Sequence, residues 1–547
     1  MADELTERYR HLLDGCYDCV DRIVLNAYNT LCYSAGGFRH WWRRLMGGSD
    51  EQLDNAHLMR MAGRFSRRVR GFAKAHHIPV IDCRSGEHKH QIAEEYLATH
   101  PVKRGLFLIL VARAIAPVWD VTRSARGVVR NLEQKKAYIN HYSFHIWDSE
   151  WGHITIKMAG HPPFGAQIIL NGHEYVACRA TKAGLTFTKE GNAFTQITDP
   201  ARLVRIADTL ADTRTIGRLT QVCERWIYSA CLCFALGIDE QERSAFRYAY
   251  SVFQVEYSRN LLFHRGSQLE QLFQRMVDRT RARLDVRQVR TLLGTKRRPH
   301  WHWKRRPRLE VVLETPVYDL TVFKFHFGKL TLKAYTKGEH VLRFEVVVHN
   351  TKQLGCGRVL TRFPDIVSRL TGMLERFLTT LDCVDVAFIG DETLDHLPRP
   401  SRVGKVRVGG IDLNNPRMRD ALRAVLALAP SPMGFGVAQF KAKVHSMTGQ
   451  SEAGYTQRHA AYDLKKLRGK QLIIKLGRSR RYQLSPPAMR AITALLVLRD
   501  QVIKPILAGA QTDTRLPKPP ISTPTDQHYH RVRLALQPLF EDLGIAA

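Results

Sequence analysis

Apolar positions in the first part of the chain recur with two different spacings. Residues 22–28 read as a strand, and residues 53–76 as a long helix with Leu58, Met61, Phe65, Val69 and Phe72 on one face and Arg60, Arg64, Arg67 and Lys74 on the other. A second strand at 78–83, a second helix at 88–100 and a third strand at 105–111 continue the alternation. This order predicts a small α/β domain over 1–122 with parallel pairing and a basic helix face. After a polar, basic connector at 123–136 the period falls to two. Segments 138–147 and 153–158 flank a turn containing Asp148, Glu150 and Gly152, which predicts a hairpin. Pro162-Pro163 then opens an expected helix running on through 167–177, closing a hairpin/helix unit over 123–200.

Helical spacing fills much of 201–294, including a segment around Phe253-Gln254-Val255-Glu256-Tyr257. Four β-prone segments at 309–313, 320–326, 330–335 and 341–348, followed by a helix at 363–380, predict an antiparallel sheet with a covering helix over 309–396. Residues 397–431 form a linker region rich in Pro, Gly and Arg, 432–510 a compact unit ending in an apolar helix, and 511–547 a Pro-rich linker with a terminal helix. The fold class expected is therefore α/β and α+β multidomain, with central α+β sheet domains carrying a helical insertion.

The 432–510 unit has an informative order of elements. Thr456 is placed to cap a helix beginning at Gln457, with Ala460, Ala461, Leu464 and Leu467 facing inward. Gln457, Arg458, Tyr462, Lys465 and Lys466 are left on the other face, long enough to reach base edges or phosphates. Residues 471–476 and 481–484 are β-prone around a Gly477-Arg478-Ser479-Arg480 turn, giving a hairpin with Arg478, Arg480 and Arg481 at its tip. Val437, Phe440, Ala442 and Val444 supply a preceding helix. The stretch resembles the winged helix of MarR- and ArsR-type DNA-binding proteins in this order. A small helical domain with an ordinary solvated basic face is the alternative. The apolar helix at 488–506 offers a homodimer contact.

Charge sharpens the picture. The 547 residues carry 83 Lys and Arg against 51 Asp and Glu, a net +32, with 44% apolar residues. That composition folds, and the excess self-repels unless a polyanion compensates it, which points to nucleic acid as partner. The apolar runs fall short of a bilayer span and Met1 to Arg8 is acidic and polar, so a cytoplasmic protein without membrane contact is expected. The densest basic run, 295–308, holds Arg297, Arg298, Trp301, Trp303, Lys304, Arg305 and Arg306 between prolines. Indoles interleaved with cations suit stacking on unpaired bases, and a linker whose indoles pack on a neighbouring domain is the alternative. Ten cysteines, with one Cys16-x-x-Cys19 and no second pair, read as buried reduced thiols in place of a zinc site.

Catalytic candidates cluster around Tyr335-Thr336-Lys337 and Leu342-Arg343-Phe344-Glu345, where alternation sets Arg343 and Glu345 on one strand face. This pattern is similar to the tyrosine-lysine and arginine-x-glutamate element of rolling-circle replication initiators; an intrasheet Arg–Glu pair explains it equally well. The paired metal-binding histidines of that class have no close counterpart. His141 and His145 stand four apart, and His300-Trp301-His302 lies in the proline-flanked loop. Zinc or magnesium on His141, His145 and Asp148 would require side chains from opposite strand faces.

On a larger scale the chain resembles a widespread group of uncharacterised bacterial proteins. The shared features are Cys19 to Cys32, His141-Tyr142-Ser143-Phe144 with Asp148, Leu170-Asn171-Gly172-His173, Gln254-Val255-Glu256-Tyr257, the Tyr335 and Arg343 segments, and the C-terminal helix–hairpin unit. The resemblance implies an architecture and no activity. Thr336, and Arg259 with Asn260, stand where the group carries aspartates, so any metal chemistry those aspartates serve is lost here.

These observations predict a nucleic-acid-binding protein of a bacterium or mobile element, acting on DNA or structured RNA through a winged helix and a central basic surface. The enzyme alternative is a metal-dependent nuclease or strand transferase, with His141, Asp148, Asn171, His173, Glu256, Tyr335, Arg343 and Glu345 near one cleft and magnesium as the divalent metal. A third is an RNA-organising structural protein. No nucleotide-cofactor motif is evident.

Overall fold

The computed structural model describes residues 3–84, 87, 89–102, 104–283, 309–314, 322–385, 395–449, 454–504 and 523–542. The chain is a mixed α/β protein of two compact units. One comprises Arg10–Leu269 and Thr315–Leu374; the other comprises Met1–Tyr9, Glu270–Glu314 and Glu375–Ala547. Among the described residues no helix is long and apolar enough to cross a membrane.

The first unit is organised by a large mixed sheet. In chain order the strands are β1 (Leu13–Tyr28), β2 (Val80–Asp82), β3 (Gly105–Arg123), β4 (Val129–Asp148), β5 (Gly152–Ala159), β6 (Ala166–Asn171), β7 (Phe187–Glu190), β8 (Ala193–Ile197) and β9 (Ala249–Phe263). After β10 (Leu309–Glu314), which belongs to the second unit's chain segments, come β11 (Val322–Phe327), β12 (Leu330–Lys337) and β13 (Val341–Val348). Within this unit the sheet runs β11-β12-β13-β9-β1-β6-β5-β4-β3-β2, and β7 and β8 form a separate hairpin.

One face of the sheet is apolar. Ile23, Leu25, Ile154, Ile156, Phe144, Ile146, Ile168 and Leu170 are almost wholly buried there. The helix Asn55–Ala75 supplies the covering layer through Leu58, Met61, Phe65, Val69 and Ala73, spaced three and four apart. Phe65 meets Tyr142 edge-on with ring centroids 4.8 Å apart, and Phe234 stacks on Phe144 at 6.0 Å. Burying several such side chains, at about 1.5–3 kcal/mol each, is what fixes the sheet's orientation.

Several expectations need correction. The N-terminal strands pair in parallel only at β2–β3; β1 is antiparallel to both β6 and β9. The segment expected as helix after Pro162-Pro163 is β6 up to Asn171, and only Gly172–Lys182 is helical. Tertiary pairing overrides the local pattern here, because β6 sits between β1 and β5 and alternates buried and half-buried residues. Likewise Phe253 to Tyr257 lies in β9, between β1 and β13. The connector expected at 123–136 mostly belongs to β4, which pairs with a β3 that runs on to Arg123.

In the second unit the helices Pro416–Leu428, Val437–Thr448 and Gln457–Gly469 lead to the short hairpin of β16 (Ile473–Lys475) and β17 (Tyr482–Leu484), then to the helix Pro486–Val497. Before them β14 (Ser401–Val403) and β15 (Val406–Val408) form a further hairpin. Thr456 caps its helix by accepting from the His459 amide. Gly449 ends the preceding helix at φ 69, a conformation that favours glycine. Ala461 is exposed, contrary to expectation, and Asp463 is buried instead. Arg417 and the Tyr455 hydroxyl hold its carboxylate at 2.8–3.0 Å.

Candidate functional site

Strand register assembles a polar layer on the sheet's other face. Across β12, β13, β9 and β1, Tyr335, Arg343, Asn260 and Tyr17 fall in one transverse row, and Lys333, Glu345, Ser258 and Cys19 in the next. A third row holds Val347, Glu256 and Arg22 and continues to Asn171 on β6. Side chains in such rows share a face because successive residues of a strand alternate. A register shift between Val20 and Arg22 inserts one residue in β1, so that Asp21 as well as Arg22 reaches this side.

The first two rows close around a buried ion network. Asp21 Oδ1 lies 3.0 Å from His173 Nδ1 and accepts from the Ser258 hydroxyl at 2.8 Å. Arg343 Nη1 stands 4.0 Å from Asp21 Oδ2, while its Nε donates to Asn260 Oδ1 at 2.6 Å. The guanidinium also donates to the Asn192 carbonyl in the β7–β8 turn, and the Tyr17 hydroxyl accepts from the Phe194 amide. Asp21, His173, Arg343 and Asn260 are at most 2% exposed. Burial works against the Asp21 carboxylate, but Arg343, followed by His173 and Ser258, holds its pKa down to about 2. Burial pushes the Tyr17 hydroxyl well above the usual tyrosine range.

His173 arrives there through a close backbone approach. A Cβ on Gly172 would fall 1.7 Å from the Val20 carbonyl oxygen, so only glycine lets the helix start against β1. Asn171 caps that helix by accepting from the His173 amide at 2.9 Å. Cys19 Sγ, Asp21 and His173 offer ligand atoms within 4.8 Å of one another, a donor set that suits zinc. The Arg343 guanidinium already supplies positive charge at this point, so the carboxylate is neutralised by the chain itself.

Beyond this network the face is less enclosed. Glu256 accepts from Gln254 Nε2 at 2.7 Å, and Glu345 accepts from Lys333 at 2.8 Å and from the Tyr335 hydroxyl at 3.3 Å. Burial, then the Glu345 charge, raises the Glu256 carboxyl to about 7. Burial, then Arg343, lowers the Lys337 ammonium to about 8. A carboxyl poised near neutrality can accept and return a proton at physiological pH.

Of the residues expected from sequence, His173, Glu256, Tyr335, Arg343 and Glu345 come together, and Asn171 stands beside Arg22 as a helix cap. His141 lies on β4 between Ala112 and Ala159, on the same face but several strands away. Asp148 does not join them. Its carboxylate accepts from Arg225, the Trp226 indole and the amides of Glu150 and Trp151, and it faces the other side of β4. Arg259, at one of the positions where aspartate was expected, pairs with Asp18 at 2.7 Å. Sequence reasoning missed Tyr17, Asp21, Ser258, Asn260 and Lys333. Their signal was present as alternating polar residues in β-prone segments, but reading 253–257 as helix hid the central row.

On the expected nucleic-acid surface, Gln457, Arg458 and Tyr462 are exposed and Lys465 and Lys466 half-buried, with Lys466 Nζ 5.3 Å from the Tyr462 ring centroid. Arg478 and Arg480 are exposed at the hairpin. Arg481 instead donates to the Met433 and Gly434 carbonyls, an anchoring role. Arg297, Arg298, Trp301, Trp303, Lys304, Arg305 and Arg306 lie outside the described residues. No protein-family model, curated protein or solved structure matches the chain.

Proposed function

We propose that the protein binds nucleic acid, with the 437–484 elements acting as a winged helix and the wider basic surface holding further phosphates. The observation that carries this reading is the outer face of the Gln457–Gly469 helix. Gln457, Arg458 and Tyr462 are exposed while Ala460, Leu464 and Leu467 are buried, and Arg478 and Arg480 are exposed beside it. A helix entering a major groove needs such long polar side chains, and the adjacent arginines suit phosphate contact. The net charge of +32 supports a large electrostatic contribution. The test is a titration of duplex and single-stranded oligonucleotides. Arg458→Ala with Lys465→Ala should weaken duplex binding more than single-strand binding, and wild-type affinity should fall about tenfold or more between roughly 50 and 200 mM salt. Salt-independent binding, or equal loss on both ligands, would overturn the groove-binding reading.

A second reading, a metal-dependent nuclease or strand transferase, is favoured by one observation. Glu256 sits beside Glu345 with its carboxyl near neutrality on a polar sheet face. Magnesium-dependent cleavage abolished by Glu256→Gln would support it, and no cleavage of any strand with magnesium present would remove it.

A further inference from the structure

The polar face of the sheet carries a second concentration of charge, away from the Asp21–Arg343 network. Lys157 on β5 stands opposite Ser143 on β4, and Thr155 opposite His145. Lys89 at the start of the Lys89–Thr99 helix and Arg22 on β1 reach towards the same place. Both lower the protonation of Lys157, after the effect of its own burial, and Lys89 and Lys157 do the same to His141 and His145.

Lys89, Lys157 and Arg22 are half-buried, and among the described residues none forms an ion pair. Around them polar atoms are buried without a hydrogen-bond partner: Ser143 Oγ, His145 Nε2, His141 Nε2 and Arg22 Nε. Ser143 is 1% exposed and His145 2%. Converging cations with no counter-charge, beside orphaned donors, are costly unless an anion completes the set. A phosphoryl group fits, because its oxygens accept from several donors at once and its charge balances two or three cations.

We propose that Arg22, Lys89, Lys157, Ser143 and His145 form a phosphate-binding pocket on the open part of the sheet, separate from the C-terminal helix and hairpin. The phosphate is either part of a nucleic-acid backbone or carried by a phosphorylated small molecule. The chemistry is the same, and the experiment separates the sources.

The full-length protein is titrated calorimetrically with inorganic phosphate, and separately with a single-stranded oligonucleotide. Lys157→Met should weaken phosphate binding about tenfold or more, the effect of deleting one charge-assisted contact. Lys74→Met, an exposed lysine on the far helix, serves as charge-matched control and should change nothing. A parallel loss for the oligonucleotide identifies the backbone as the source; a loss for phosphate alone identifies a small phosphorylated ligand. Arg458→Ala with Lys465→Ala should leave the phosphate titration unaltered, so failure of the winged-helix reading stays distinguishable. No phosphate binding by the wild type at millimolar concentration, or equal losses in Lys157→Met and Lys74→Met, would overturn the pocket.

Discussion

Two halves of one sheet face meet opposite fates. Around Asp21, His173, Asn260 and Arg343 the charges are buried at almost zero exposure, and each finds a partner from β1, β9, β13 or the β7–β8 turn. Around Arg22, Lys157 and Glu256 the residues are half-buried, and like charges face one another. A charge fully removed from water must be neutralised within the fold, so the closed half is committed to structure. The open half keeps charge that the chain itself does not balance, which is the condition for binding something else.

The largest test of this contrast is Arg343→Ala. It leaves Asp21 buried without its main counter-charge, and removing one member of a buried pair typically costs about 3–5 kcal/mol. A urea unfolding curve should show that loss. Pairing Arg343→Met with Asp21→Leu should recover much of it, since the uncompensated charge is then gone. A loss below about 1 kcal/mol in Arg343→Ala would mean the network is not closed.

The next effect belongs to Glu256. Its folded pKa of about 7 exceeds the unfolded value near 4.5, so the folded state holds a proton that the unfolded state has released between those values. Stability should therefore be greatest at the acid end of that window and decline as pH rises to about 7, by up to roughly 3 kcal/mol. Glu256→Gln should remove this decline, as urea midpoints at pH 5 and pH 8 would show. Asp21 runs the other way. Its pKa is held down to about 2, so its contribution is present above about pH 4 and lost as pH falls towards 2. An Asp21→Asn variant that kept the full acid sensitivity would contradict that assignment.

The smallest expected change is in Lys157→Met. Replacing one of several converging cations while keeping an apolar stem should alter stability by less than about 1 kcal/mol, in either direction. A thermal melt showing a large loss would place Lys157 with the closed half and weaken the contrast.

The difference also explains what could be read in advance. Arg343 and Glu345 on one strand face, Asp148 on the face opposite His141, and the Thr456 cap followed by helix and hairpin all follow from period and capping chemistry. These are local properties, set by residues a few positions apart. The polar row on β9 was invisible because Gln254, Glu256 and the apolar residues between them fit a helical pattern as well as a strand.

Sequence by itself determined that this chain carries a large uncompensated positive charge, that it contains enough apolar residues for folded cores, and that its 437–484 segment runs helix, helix, hairpin. Only the tertiary structure decided that β6 and β9 are strands, because each is stabilised by hydrogen-bonding neighbours far away in the chain. Only the fold, too, decided which polar residues are sealed and which stay open. Asp21 finds its partners 152 and 322 positions away, in His173 and Arg343, and the shift at Val20 brings Arg22 onto the same face. Such pairings depend on strand register, and register is set by the packing of the whole apolar face.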